Sequence, residues 1–197
     1  MAKCLGITGG IGAGKTTISK IFQTLDIPVF DADAEAKACY QDTDTIAEIS
    51  ATFGHDIFIN DVLQPKVLAS KVFAFKDKLK RLESIIHPRV HDRWIEFAFK
   101  HDEQPYIIRE NAILIPSGGH LTCNKVLLIT APLEDRINRV MARSRLTREG
   151  ILERINHQWS EEKMLPYCHF VIENKQTPTI LDAILPKVIE IDQHMRK

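Results

Sequence analysis

A glycine-rich stretch near the start of the chain, TGGIGAGKTT at residues 8–17, constrains the fold more than any other feature. A short, mostly apolar run at residues 4–8 precedes it, and apolar residues recur at helical spacing from Ile18 to Leu25. This pattern predicts a strand, a glycine loop and an amphipathic helix in that order. The loop matches G-x-x-x-x-G-K-[ST] in the strand-to-helix context that the motif requires.

A loop of this kind is suited to binding phosphate groups. Glycines let successive backbone N–H groups turn inward around an anion, and the following helix adds the positive end of its dipole. Lys15 is placed to reach the β- and γ-phosphates of a nucleotide, and the Thr16 hydroxyl to ligate Mg²⁺. The residues expected to surround the nucleotide are Gly10, Ile11, Gly12, Ala13, Gly14, Lys15, Thr16 and Thr17.

The remaining pattern predicts an α/β fold. Continuous apolar strands that alternate with helices indicate a parallel sheet covered on both faces. Between the second and third strands, apolar residues at spacings of three and four predict a helical insertion, with separate helices at 78–86 and 90–99. Five strands are predicted, at residues 4–8, 27–30, 106–108, 125–129 and 169–172.

Composition narrows the possible partners and the compartment. Lysine plus arginine equals aspartate plus glutamate at 26 each, so no net charge favours nucleic acid or a membrane surface. The four cysteines are scattered without a Cys-x-x-Cys pair, as expected for reduced thiols rather than a zinc site. The first residues run directly into the glycine loop, and no apolar run is long enough to span a bilayer. We therefore expect a cytoplasmic protein.

The loop alone does not name a reaction, because kinases, GTPases and ATP-driven machines share it. The guanine-reading Asn-Lys-x-Asp of GTPases is absent, since the nearest string, ENKQ at residues 173–176, lacks the aspartate. Asp31 and Asp33 follow the second strand, at the edge where open parallel sheets bind ligands. A carboxylate there could accept the proton of an attacking hydroxyl, or Asp33 could cap the next helix. The pattern leaves both open.

Together these motifs resemble the dephospho-CoA kinase family. The resemblance covers essentially the full length and is carried by residues 8–17, by FDAD at 30–33, by IHP at 86–88, by Gln158 and by VIEN at 171–174. It implies transfer of the γ-phosphoryl group of ATP, with Mg²⁺, to the ribose 3′-hydroxyl of dephospho-CoA, the final step of coenzyme A biosynthesis. It also implies a nucleotide-binding core at about 1–33, 103–138 and 166–197, a helical CoA-binding insertion at about 34–102 and a lid at about 139–165.

The same resemblance assigns residues to roles. Asp33 matches the general base, with Asp31 beside it. His87 and Arg89 match an acceptor-binding segment, with His87 in substrate contact or at a helix start, and Lys66 stands where the family usually has an arginine. Arg139 and Arg143 match lid arginines that neutralise the transferring phosphoryl group, although a basic run is also typical of a solvated helix face. Asn174 matches a residue near the adenine or, equally, a turn residue after a strand.

Two departures from the family pattern concern the third strand. Glu110 stands where the family has an aspartate, and its carboxylate could hold Mg²⁺ through water. Pro116 replaces a glutamate, which puts an acceptor contact in doubt. Two alternatives stay open: another small-molecule kinase, such as a nucleoside monophosphate kinase, and a nucleotide-dependent switch protein. We expect a monomer or small homo-oligomer that acts on a small molecule, without nucleic acid or membrane partners.

Overall fold

The structure is a computed structural model that describes residues 2–59, 62–73, 75–175 and 180–197, and their side chains apart from those of Lys66, Phe73, Ile180 and Leu181. It divides into two compact units. The core unit comprises Met1–Asp31 and Ala98–Lys197, and the helical unit comprises Ala32–Phe97. The helical unit covers most of the insertion expected at 34–102, and the segment expected as a lid is grouped with the core unit.

The strands of the described residues form two sheets. They are β1 (Lys3–Thr8), β2 (Val29–Asp31), β3 (Phe58–Ile59), β4 (Val62–Leu63), β5 (Tyr106–Glu110), β6 (Lys125–Thr130) and β7 (Phe170–Glu173). The core sheet is parallel, with the order β2-β5-β1-β6-β7, which confirms the predicted α/β fold with five parallel strands. Short β3 and β4 pair antiparallel in the helical unit. The sequence suggested only a short extended segment at residues 56–59, which overlaps β3. The pairing with β4 was not predicted, because strands of two residues carry no alternation to detect.

The helices of the core unit cover its sheet. They are α1 (Lys15–Gln23), α6 (Leu133–Arg143), α7 (Arg148–Asn156), α8 (Glu161–Met164) and α9 (Ile180–Arg196). Ile18 and Phe22 of α1, and Val188 of α9, are fully buried in a cluster with strand residues such as Ile7. The apolar face of α1 therefore packs on the sheet, and this packing holds the glycine loop that precedes the helix in place.

The helical unit contains α2 (Ala32–Ala38), α3 (Thr43–Phe53), α4 (Pro65–Phe73) and all but the last three residues of α5 (Lys76–Lys100). The prediction of two helices at 78–86 and 90–99 was wrong, because α5 continues through Pro88. A proline inside a helix removes one N–H donor and crowds the preceding turn. In that turn the Arg89 guanidinium donates to the carbonyl oxygen of Ile85 at 2.6 Å.

Among the described residues, no helix is both long enough and apolar enough to cross a bilayer.

Candidate active site

The glycine loop connects β1 to α1 in a conformation that leaves the start of the helix open. Gly14 immediately precedes α1 with φ 97° and ψ 25°, a left-handed conformation that strains any residue with a Cβ atom. Within the described chain, no side chain caps this end, and the first turn carries no acidic residue. The first N–H groups of a helix have no intrahelical acceptor, so this end offers donors and a positive dipole to an anion.

Neighbouring residues pack so closely against the loop that two of its positions have no room for a side chain. A Cβ atom at Gly12 would collide with the backbone of Arg136, and one at Gly14 would collide with Nδ2 of Asn174. Lys15 is largely buried, and its ammonium group donates to the carbonyl oxygen of Gly9 at 3.0 Å. A cradle of backbone N–H groups with a buried lysine fits the phosphates of a nucleotide.

A buried carboxyl group lies beside the first turn of α1. The Thr16 hydroxyl donates to Oε1 of Glu110 at 2.9 Å, and Glu110 is only 3% exposed. In the register of the sheet, Glu110 is opposite Ile7 on one side and Asp31 on the other. Burial raises the pKa of the Glu110 carboxyl, the nearby charge of Asp31 raises it further, and the Thr16 hydrogen bond and Lys15 oppose both effects.

Thr16 and Glu110, the two residues predicted to serve Mg²⁺, are thus brought into contact. The part of the chain that the structure describes contains no group of three or more His, Cys, Asp or Glu residues that could hold a metal ion by itself. Mg²⁺ is commonly held by one or two carboxylates together with substrate phosphates and water. One hydroxyl and one carboxylate beside the loop fit an ion that binds together with the nucleotide.

Two of the predicted nucleotide-site residues, Arg139 and Asn174, pack against the carbonyl side of the loop. Asn174 is 4% exposed and its Nδ2 donates to the carbonyl oxygen of Ala13 at 2.7 Å. Arg139 donates to the Asn174 carbonyl oxygen at 2.8 Å and to those of Gly12 and Ala13 at 3.3 and 3.4 Å. Arg143, the last residue of α6, is exposed.

Arg136 and Gln158 hold the loop by contacts that the sequence analysis missed. Arg136 Nε donates to the carbonyl oxygen of Ile11 at 3.0 Å, and the Ile11 N–H donates to Oε1 of Gln158 at 2.8 Å. Arg136 is 8% exposed and forms an ion pair with Glu161 at 3.5 Å. One signal could have found Arg136: it precedes Arg139 by three residues, so both lie on the same face of α6.

Two cavities adjoin the loop. The larger, about 550 Å³, is lined by Gly10, Arg136, Gln158 and Trp159 among others. The smaller, about 140 Å³, is lined by Gly10, Pro116 and Trp159 among others. Pro116, the position that departs from the family pattern, is exposed and also contributes to the lining of this cavity.

The other predicted residues belong to the helical unit. Asp33 lies in the first turn of α2, which begins at Ala32, so the alternative that Asp33 caps this helix was wrong. His87 lies inside α5, so its alternative role at a helix start was also wrong. Arg89 forms an ion pair with Glu48 at 2.7 Å. The side chain of Lys66 is outside the described residues, so its predicted contact stays a prediction.

Comparison with known proteins gives one consistent family. The dephospho-CoA kinase family model matches residues 3–179. A dephospho-CoA kinase from Bacteroides fragilis is 33% identical over 186 residues, which span 94% of this chain and 91% of that protein. These matches extend over almost the whole chain and include the glycine loop.

Solved structures agree in fold. A crystal structure of a Thermus thermophilus protein has a TM-score of 0.85 and 33% identity, and the match covers 96% of this chain and 97% of that one. A shikimate kinase from Bacteroides thetaiotaomicron has a TM-score of 0.52 and 13% identity, over 97% of this chain and 98% of that one, and is similar in fold alone. The resemblance read from the sequence is confirmed: the chain belongs to the dephospho-CoA kinase family.

Proposed function

We propose that this protein catalyses ATP-dependent phosphorylation of the ribose 3′-hydroxyl of dephospho-CoA, yielding CoA and ADP. The observation that carries the proposal is the open, glycine-lined start of α1, with buried Lys15 and the Thr16–Glu110 contact beside it. Membership of the dephospho-CoA kinase family supports dephospho-CoA as the acceptor of the phosphoryl group. No observation favours a nucleoside monophosphate kinase or a switch protein.

In this proposal the loop residues from Gly10 to Thr17 bind the phosphates of ATP through backbone N–H groups. Lys15 releases the Gly9 carbonyl oxygen and places its ammonium group on the β- and γ-phosphates. Thr16 and Glu110 hold Mg²⁺, which supplies charge neutralisation at the phosphates when bound. Glu110 would have to be ionised to hold the ion, and the charge of Mg²⁺ would favour ionisation against the burial that raises the pKa of this carboxyl.

Asp33 is the proposed general base. Its carboxylate accepts the proton of the 3′-hydroxyl as that oxygen attacks, and it orients the hydroxyl in line with the bond that breaks. Asp31 is proposed as a second substrate contact. In the helical unit, Lys66, His87 and Arg89 are proposed to bind the acceptor, and Arg89 would then exchange its ion pair with Glu48 for an anionic group of the substrate.

Arg139, Arg143 and Asn174 are proposed to serve the nucleotide. Arg139 already donates to the loop and to Asn174, so its positive charge lies next to the loop that binds the phosphates and favours their negative charge. Asn174 is proposed to contact the adenine, and exposed Arg143 to join Arg139 when the segment at 139–165 closes as a lid. Closure would exclude water, which otherwise competes for the phosphoryl group. We propose a cytoplasmic reaction on small molecules, by a monomer or small homo-oligomer.

The test combines product analysis with a matched pair of variants. Purified protein is incubated with Mg²⁺-ATP, dephospho-CoA and AMP, and the products are identified by mass spectrometry. A phosphate added to dephospho-CoA supports the proposal, whereas consumption of AMP without any CoA formed would identify a nucleotide kinase. Asp33→Asn should retain ATP binding and lower kcat by about 10²- to 10⁴-fold, the range of general base catalysis. Asp44→Asn alters an exposed acid in the first turn of α3 and should change little.

A further inference from the structure

The part of the glycine loop before Gly14 is a hydrogen-bonded β-turn. The Ala13 N–H donates to the carbonyl oxygen of Gly10 at 3.1 Å, which closes a four-residue turn. Gly12, the third residue of the turn, has φ 77°, and the only non-glycine residue with positive φ in the described chain is Asp26, so Ile11 has negative φ. Negative φ followed by positive φ at the two central residues is the combination of signs found in a type II turn.

The central peptide of such a turn, between Ile11 and Gly12, can take two orientations. Types I and II differ mainly by rotation of this peptide through about 180°. Glycine at the third position tolerates both, because it has no Cβ atom. In a trans peptide the C=O and N–H groups point in opposite directions, so rotation exchanges the faces of the loop that the Ile11 carbonyl and the Gly12 N–H occupy.

Arg136 fixes which orientation this peptide takes. Its Nε donates to the Ile11 carbonyl oxygen at 3.0 Å, and its guanidinium and backbone lie so close that Cβ atoms at Gly10 and Gly12 would strike them. Helix α6 therefore occupies the face of the loop toward which the Ile11 carbonyl points. The Gly12 N–H must point to the opposite face, which is the face left for phosphate.

The neighbouring peptide is held by a second side chain. The Ile11 N–H donates to Oε1 of Gln158 at 2.8 Å, and the Gly10 carbonyl of the same peptide accepts the turn hydrogen bond from Ala13. Glu161 pairs with the Arg136 guanidinium at 3.5 Å and so restricts that side chain in turn. Both peptide groups of Ile11 are thus held from outside the loop.

We infer that Arg136 is a positioning residue that locks the Ile11–Gly12 peptide with its N–H toward the bound phosphates, and that Gln158 fixes the preceding peptide. The inference rests on the proposed function in one respect, namely that the loop binds a nucleotide. In the rotated loop the Ile11 carbonyl would face the phosphates, replacing a donor by an acceptor and repelling the anion.

The locked peptide can be observed alone by NMR. The chain has nine glycines, and only Gly12 follows an isoleucine, so labelling with ¹³C-carbonyl isoleucine and ¹⁵N-glycine yields one correlated signal from this peptide. Gly14 is the only glycine that follows an alanine and provides an internal reference within the same loop. The spectra are recorded without nucleotide, so they test the lock whether or not dephospho-CoA is the acceptor.

Three substitutions separate the hydrogen bond from the charge. Arg136→Gln places an amide nitrogen at the same number of bonds from Cα as Nε, and so keeps a neutral donor. Arg136→Lys keeps the charge without a donor at that position, and Arg136→Met removes both. We expect the Gly12 signal to shift or broaden in the Met and Lys variants and to stay near its wild-type position in the Gln variant.

Affinity for ADP, measured by calorimetry, should follow the same order. The Met and Lys variants should bind about ten- to one-hundred-fold more weakly, the worth of one hydrogen bond from a charged donor, and the Gln variant should recover most of this loss. Arg145→Met, which removes an exposed arginine beyond α6, should leave both readouts unchanged. Gln158→Met offers a second perturbation of the same signal should Arg136→Met fail to fold. The lock would be overturned by an unmoved Gly12 signal in the Arg136→Met, Arg136→Lys and Gln158→Met variants. It would also be overturned if Arg136→Lys retained the affinity for ADP and Arg136→Gln lost it.

Discussion

Replacing Gly14 by alanine should separate two costs that the loop avoids by using glycine. Gly14 has φ 97°, where an L-residue is strained by about 1–2 kcal/mol. In addition, the new Cβ atom would collide with Nδ2 of Asn174, which is 4% exposed and held by its hydrogen bond to Ala13. Forcing an extra methyl group into such a site costs about 1–3 kcal/mol. The expected total is about 2–5 kcal/mol.

Gly118 provides the matched control. It also has a left-handed φ, 75°, but a Cβ atom there would meet nothing within 4 Å. Gly118→Ala should therefore cost only the backbone strain, about 1–2 kcal/mol. Asn174→Ala alone should cost about 1 kcal/mol, because Arg139 still donates to the Ala13 carbonyl oxygen.

The assay is urea unfolding of the four proteins of a double-mutant cycle, followed by circular dichroism. Asn174→Ala removes the atom that Gly14→Ala would strike, so the double variant should be more stable than the sum of the two single effects predicts, by about 1–3 kcal/mol. Strict additivity would refute the collision, and equal losses for Gly14→Ala and Gly118→Ala would refute it independently.

Three further predictions follow from buried polar groups. Burial raises the pKa of Glu110 in the folded protein above its value in the unfolded chain. The contribution of Glu110 to stability is therefore complete below the unfolded-state pKa and is lost as pH rises through the folded-state pKa. Glu110→Gln should raise Tm at neutral but not acidic pH, while Mg²⁺-dependent activity falls about 10- to 100-fold. An unchanged Tm at neutral pH would contradict this. The hydroxyl of fully buried Tyr106 donates to Asp192 at 2.8 Å, and Arg196 pairs with the same carboxylate. Tyr106→Phe should lower the free energy of unfolding in urea by only about 1 kcal/mol, because Arg196 still pairs with Asp192 in the variant. A loss above about 3 kcal/mol would show that Arg196 does not compensate. The Cys4 thiol donates a hydrogen bond to Cys123 at 3.4 Å and lowers the pKa of Cys123, whereas burial raises the pKa of Cys168 to about 11. Iodoacetamide near neutral pH should therefore alkylate Cys123 first, as measured by peptide mass spectrometry. Labelling of Cys168 before Cys123 would contradict this order.

Local pattern predicted the parts of the molecule whose conformation depends on neighbours in sequence. The strand, loop and helix around residues 3–23 formed as expected, because glycines, a following amphipathic segment and a preceding apolar run are sufficient to specify them. Helix α5 was the exception. Its apolar residues continue in helical register on both sides of Pro88, and tertiary burial of Ile86 and Val90 outweighs the local preference of proline for a break.

The sequence by itself therefore determined the fold class, the phosphate loop and the family, since each is written in a contiguous or regularly spaced pattern. Only the tertiary structure decided that β5 lies between β1 and β2, and so that Glu110 meets both Thr16 and Asp31. It also decided that Arg136, 125 residues from Ile11, fixes a peptide of the loop. Contacts of this kind depend on how sheet and helices pack, because burial and hydrogen bonding act between side chains that are distant in the chain.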